Sequence, residues 1–307
     1  MSFDDGQPSG MAHCVVACTG AGQVAPSGLQ SGRCLVRTTG SRLHGATPMS
    51  LFDTLNRIEV SDPDDAAEVP TSEHAEAFHA VVEGRRSVRR FTADPVPDDV
   101  FERAMRAAVL APNSSNLQPW EFIRVRSPEV RAKVAEAAMG QPAATTAAEI
   151  VVCVARWDRW RANRDAMLEA FRGHDVPDAV LDYYGKVVPL TWSSGPLGLV
   201  GWGRWLMSRV LTWARPVPQF DGGGLYPRIV AIKSCALACQ TLMLALHAEG
   251  FDSCPMEGFD GRRVAKAVGL RGGGHEIVML LGIGRRAPGG IYGGRWRLPL
   301  ERVLRTL

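Results

Sequence analysis

The 307-residue sequence predicts a protein of the α+β class. Short apolar runs of strand length are intermixed with amphipathic helical patterns. They never fall into a regular strand–helix–strand repeat, which argues against a doubly wound parallel sheet. A hydrophobic share of 46% with 22% charged residues is the balance of a globular protein long enough to bury a large core.

Residues 1–48 are rich in Gly, Ser, Thr and Gln without sustained periodicity, and read as a disordered tail or a misassigned start. Met49-Ser50-Leu51-Phe52-Asp53 resembles a more ordinary N-terminus, and residues 49–78 read as an extension with an acidic, Pro-containing linker. A helix is expected over 73–83, stopped by Gly84. The next is expected over 97–110: Pro97 suits its first turn, Asp98 and Asp99 favour its positive end, and Phe101, Met105, Ala108 and Val109 form its apolar stripe. Glu121 to Arg126 reads as a strand and Pro128 to Ala138 as a helix. Ile150 to Ala155 is almost purely apolar, as a strand buried on both faces would be. Ser234 to Glu249 is apolar on nearly every side, so a fully buried helix is expected, with Gly250 ending it. Ile277 to Gly284 reads as a third strand.

Between 156 and 229 lies a segment of different character, holding six of the eight tryptophans. Leu199 to Trp213 draws as an amphipathic helix, with Leu199, Trp202, Leu206, Val210 and Trp213 on one side and Gly201, Arg204, Ser208 and Thr212 opposite. Asp221-Gly222-Gly223-Gly224 behind it reads as a flexible return.

Several chemistries are excluded. A net charge of +3 is too small for nucleic acid. The seven cysteines show no CxxC, and Cys235 and Cys239 read as helix packing, which points to a reducing, cytoplasmic setting. No metal is expected: the histidines are dispersed, no HExxH occurs, and His74 and His79 are five apart, off one helical face. Gly282-Ile283-Gly284-Arg285-Arg286-Ala287 matches a dinucleotide fingerprint, but Pro288-Gly289-Gly290 follows where a helix is required. No GxSxG or Walker motif is present. The start, Met1-Ser2-Phe3-Asp4-Asp5, is acidic where a secretory signal needs positive charge, and Arg204 and Arg209 interrupt the one candidate apolar run.

The chemistry is carried by Arg85-Arg86-Ser87-Val88-Arg89-Arg90-Phe91, with four arginines in six residues. Guanidinium forks bind phosphate bidentately and Ser87 adds a hydroxyl, so a local anionic ligand is expected. Ala111-Pro112-Asn113-Ser114-Ser115-Asn116-Leu117-Gln118-Pro119-Trp120 follows, then Pro255-Met256-Glu257-Gly258-Phe259-Asp260, then Gly294-Arg295-Trp296-Arg297. In this order the four blocks resemble the nitroreductase family of FMN-dependent oxidoreductases, over residues 79–307 with 156–229 as an insertion.

The resemblance implies a central, mostly antiparallel sheet flanked by helices, with the insertion as a Trp-rich helical lid. It implies that Arg85, Arg86, Ser87 and Arg89 hold the FMN phosphate with Arg295 and Arg297. Pro112, Asn113, Ser114, Ser115, Asn116 and Gln118 would reach the flavin edge across a homodimer with shared sites, with Asn113 standing where serine is common. Pro255, Met256, Glu257 and Gly258 would cover one flavin face and offer a backbone N–H to N5, leaving no side chain as a catalytic acid or base. NADH or NADPH would be the co-substrate and a small aromatic compound, nitroaromatic or quinone, the acceptor. A specialised oxidase, dehydrogenase or dehalogenase of one metabolite, and a non-catalytic flavin binder, remain open beside it. For the insertion, a lid bearing Trp192, Trp202 and Trp205, a dimer contact, and membrane contact through 199–213 all remain open.

Overall fold

Thr71 caps the first helix of the computed structural model, which describes residues 71–174 and 176–307. The expectations for the tail 1–48, and for the linker up to residue 70, lie outside the described residues. The Thr71 hydroxyl accepts from the His74 amide while the His74 ring accepts from the Thr71 amide, closing both ends of a capping box on α1 (Ser72–Gly84). Helix α2 (Asp98–Ala108) follows Pro97 and buries Val100, Phe101, Ala104 and Ala108. Strand β1 (Trp120–Val125) leads into α3 (Pro128–Ala137), capped by Ser127, then the short α4 (Pro142–Thr145) and β2 (Glu149–Arg156). The insertion folds as α5 (Trp160–Ala170), α6 (Asp178–Asp182), a π-turn (Tyr183–Val187), α7 (Val188–Trp192) and α8 (Leu199–Leu211). Helix α9 (Leu225–Ala248), β3 (Asp252–Met256), α10 (Gly261–Ala267) and β4 (His275–Gly284) complete the fold.

The strands form one antiparallel sheet in the order β1-β2-β4-β3. Side chains alternate along β2, so its unbroken apolar run feeds two cores. Val151, Cys153 and Ala155 pack with Leu242 and Leu246 of α9 and Phe101 of α2, whereas Ile150, Val152 and Val154 pack with Val134 of α3, Ala143 of α4 and Val264 of α10. A helical layer on each face explains why strand periodicity is invisible in this segment.

At the sheet margin, Arg124 of β1 donates to Asp98 at 2.8 Å and to Glu149 at 2.5 Å. Arg103 likewise joins Asp99 to Glu249 beyond the end of α9.

Three expectations change. A fourth strand, β3, exists: Asp252, Ser253 and Pro255 are poor strand formers, tolerated because β3 lies at the sheet edge. Helix α9 begins nine residues earlier than expected, at Leu225, and is buried on one face only, with Leu237 exposed opposite. Its length and composition would suffice to cross a membrane, but here it lies along the sheet as a core helix. The third change concerns Trp192, which is buried with Tyr184 and Val188 in the core and therefore lines no lid.

Gly282, by contrast, behaves as a strand glycine and not as a nucleotide turn. A Cβ there would stand 2.4 Å from the Ala143 carbonyl oxygen, so glycine lets α4 sit directly on β4.

Candidate functional site

The arginine segment is an extended clamp and not a free turn. Val88 donates to the Ser253 carbonyl at 3.1 Å, Ser87 bridges Ser253, and Arg89 donates to Gly290 at 2.6 Å. Val88 and Phe91 are buried, which forces the arginines between and before them outward. The C-terminal segment returns beside them: Arg86 Nη2 donates to the Gly293 carbonyl at 2.9 Å, and Arg295 donates to the Arg85 carbonyl. Arg85, Arg86, Ser87 and Arg89 thus line one open concavity of ≈ 320 Å³ with Tyr292, Arg295 and Arg297.

Its electrostatics are unbalanced. Burial lowers the Arg85 pKa, and the charges of Arg295 and Arg297 lower it further, with Asp252 opposing weakly. Asp252 is already engaged by Arg286 through two bonds of 3.0 Å and by His247 at 3.3 Å. Cations crowded without a carboxylate among the lining residues form a site that an anion completes.

The second block folds as a strained loop. Ser115, Asn116 and Gln118 have φ of 56°, 47° and 46°, left-handed values unfavourable for serine and glutamine. Such strain costs about 1–3 kcal/mol per residue and persists only where surroundings enforce it. Here the Ser115 hydroxyl shares a 2.7 Å bond with the Tyr183 hydroxyl, and Tyr184 donates to the Ser115 carbonyl at 3.1 Å. Asn163 donates to the Leu117 carbonyl at 2.8 Å, and Asn113 Oδ1 accepts from the Gln118 amide at 2.7 Å. Asn163, Tyr183 and Tyr184 are positioning residues that sequence reasoning passed over, since nothing in a Tyr-Tyr pair says what it will touch.

Pro112, Asn113, Ser114, Ser115, Asn116 and Gln118 do not line the arginine concavity, so the chain brings together the first and fourth blocks without the second. The third block adjoins the first through β3. Met256 turns into the core, leaving Glu257 and Gly258 exposed, and Gly258 accepts from Gln141 at 2.6 Å. Trp202 and Trp205 of α8 meet edge to face at 5.7 Å and do not line the concavity either.

An antiparallel α+β core thus carries, at one sheet edge, an arginine-lined concavity with the charge to receive an anionic group. Comparison with known proteins makes this specific. The Nitroreductase family model matches residues 82–285. Protein DrgA of Synechocystis is 30% identical over 234 residues, covering 75% of this chain and 95% of DrgA. An NADH dehydrogenase of Thermus thermophilus is 31% identical over 221 residues, covering 72% of this chain and 91% of that protein. An Exiguobacterium sibiricum protein assigned as a nitroreductase and solved with FMN superimposes with a TM-score of 0.56 at 23% identity, covering 78% of this chain and 99% of that one. The chain belongs to the nitroreductase family.

Proposed function

We propose that the protein is an FMN-dependent NAD(P)H oxidoreductase that reduces a small aromatic acceptor, a nitroaromatic or quinone. The observation that carries this reading is the convergence of Arg85, Arg89, Arg295 and Arg297 on one concavity, where burial and then the charges of Arg295 and Arg297 lower the Arg85 pKa. A terminal phosphate dianion fits that demand. The internal diphosphate of FAD does not end in such a group. Bound FMN would supply reversible hydride acceptance at N5.

The protein's own contribution is to hold and shield. The arginines fix the phosphate, and the strained 113–118 loop presents Asn116 and Gln118 in an orientation locked by Tyr183, Tyr184 and Asn163. The exposed Glu257–Gly258 backbone, four and five residues beyond the Ser253 that bridges Ser87, would orient the ring. The relatives support the donor and the cofactor: one is a Thermus NADH dehydrogenase, and the Exiguobacterium protein was solved with FMN. Donor and acceptor would take turns at one site, giving ping-pong kinetics.

The second block completes the site in a homodimer, reaching the partner's concavity. Ala245 packs against the core, while the outward side of α9, with Ala236 and Leu237, offers the contact surface. Cys239 faces the core and takes no part in it.

The test is spectroscopic. Purified protein should carry a flavin spectrum of FMN, bleached anaerobically by NADH or NADPH and restored by a quinone. Tight FMN that neither nicotinamide reduces would overturn the catalytic reading. A monomer with full flavin content in analytical ultracentrifugation would overturn the shared site.

A further inference from the structure

Helix α8 is inside out. Its buried positions are Gly201, Arg204 and Ser208, while Leu199, Trp202, Leu206, Met207 and Val210 face solvent. Leu206 is 57% exposed, Val210 63%, and Trp213 just beyond the helix 92%.

The reversal is built into the packing. A Cβ on Gly201 would stand 1.7 Å from the Gly223 carbonyl oxygen, so only glycine lets α8 lie against the Gly222–Gly224 return. Trp202 covers the opposite side of that return, where a Cβ on Gly222 would meet its ring at 2.5 Å. Arg204, 3% exposed, donates from Nη1 to the Ser193 carbonyl at 2.9 Å and lies over Phe220 at 4.9 Å and Tyr226 at 5.6 Å. Rotating the helix to bury its leucines would break this seam and these bonds. Its exposed apolar face is therefore a fixed feature, and a contiguous face of that kind marks an interaction surface.

Charge identifies the occupant. Between Asp182 and Asp221 there is no acidic residue. Of the four cations there, Lys186 pairs with Asp182 and Arg204 is buried, which leaves Arg209 and Arg215 as the exposed charges. Arg209 lies at the edge of the apolar face, and both it and Arg215 are exposed. Leucine and tryptophan flanked by arginine, without a carboxylate, is the composition of a helix lying in the plane of an anionic bilayer. A two-fold contact with a second α8 would instead bring equal charges together.

We propose that α8 is an interfacial membrane anchor, with Leu199, Trp202, Leu206, Met207, Val210 and Trp213 seated at the headgroup–acyl boundary of anionic lipid. Nothing in this depends on the flavin.

The experiment is co-sedimentation of the full chain with phosphatidylcholine vesicles, with and without phosphatidylglycerol, at physiological salt. Binding is expected with the anionic vesicles, accompanied by a blue shift of tryptophan emission. Leu206→Glu with Val210→Glu should lower partitioning at least about tenfold. Arg209→Gln with Arg215→Gln should lower it about 30-fold, at roughly fivefold per surface cation. All four positions are on the surface, and an unchanged circular dichroism spectrum confirms that each variant is folded. Absence of wild-type binding, or binding unaffected by the glutamates, would overturn the anchor. So would glutamate variants that dissociate a wild-type dimer without vesicles, because a second copy would then cover the face.

Discussion

The concavity and the insertion treat arginine in opposite ways. Around the concavity, Arg85 is drawn together with Arg295 and Arg297, and burial and then their charges lower its pKa. In the insertion, Arg204 is withdrawn among aromatic rings and carbonyls while leucines are sent outward, and burial lowers its pKa. Nε and Nη2 of Arg204 are buried without a hydrogen-bond partner. The contrast teaches that a guanidinium goes where its unmet demand is useful. Crowded cations leave an open concavity unneutralised, whereas a solitary one ties α7, α8 and the loop after α7 together.

The largest effect separating the two regions is expected in flavin affinity. Arg85→Ala or Arg297→Ala removes a charge-assisted contact of about 2–3 kcal/mol, so the FMN dissociation constant should rise about 30- to 150-fold by fluorescence titration. Arg204→Ala should leave it unchanged. Unchanged FMN binding in both concavity variants would break the comparison.

The next effect is on folding. Gly201→Leu forces a side chain into the Gly223 carbonyl, and overpacking of this kind costs about 1–3 kcal/mol. The melting temperature should fall by roughly 2–10 °C, with flavin affinity per folded molecule kept. Arg204→Met is the sharper probe. Replacing a desolvated cation by an apolar side chain of similar length is often neutral or stabilising, so a change within about 1 kcal/mol is expected in chemical denaturation. A loss above about 3 kcal/mol would mean that the guanidinium is paired more fully than its bonds to Leu190 and Ser193 indicate.

The smallest effect is a background common to both regions. The hydrogen bond from Arg124 holds Asp98 below its ordinary pKa of 3.8, and that from Arg103 holds Glu249 below 4.5. Carboxylates depressed in the folded state stabilise it fully above their unfolded values and progressively less as pH falls through the folded ones. Thermal stability should therefore be flat down to about pH 4.5 and decline below it. Asp98→Asn should shallow that decline without moving the plateau much.

The sheet was legible where pattern and burial agree. Ile150 to Ala155 reads as a doubly buried strand because both its faces meet helices. Gly250 and Pro97 punctuate the chain as their backbone preferences require, whereas Gly84 ends α1 from inside the helix, where a Cβ would meet the His247 ring at 2.5 Å. The four guanidiniums around a serine could have been an ordinary basic turn by themselves, and it is the resemblance that paired them with Arg295 and Arg297, which line the same concavity. Strand β3 was not legible, because its edge position tolerates Asp252 and Pro255. Nor was the orientation of α8: helical periodicity separates two faces without saying which turns inward, and the deciding contact, Gly201 on Gly223, spans 22 residues of sequence. The strain at Ser115 was equally hidden, being imposed by tyrosines about 70 residues away.

The clamp between Arg85 and Arg295 joins the start of the fold to its finish. Synthesis runs from the N-terminus, and folding begins before the chain is complete. The strands and the buried residues of both cores precede Arg285, whereas Arg295 and Arg297 are made after them. A chain ended before Arg295 would therefore keep the strands and the buried residues of both cores but lose two of the arginines that line the concavity, so its folding and its capture of flavin should separate.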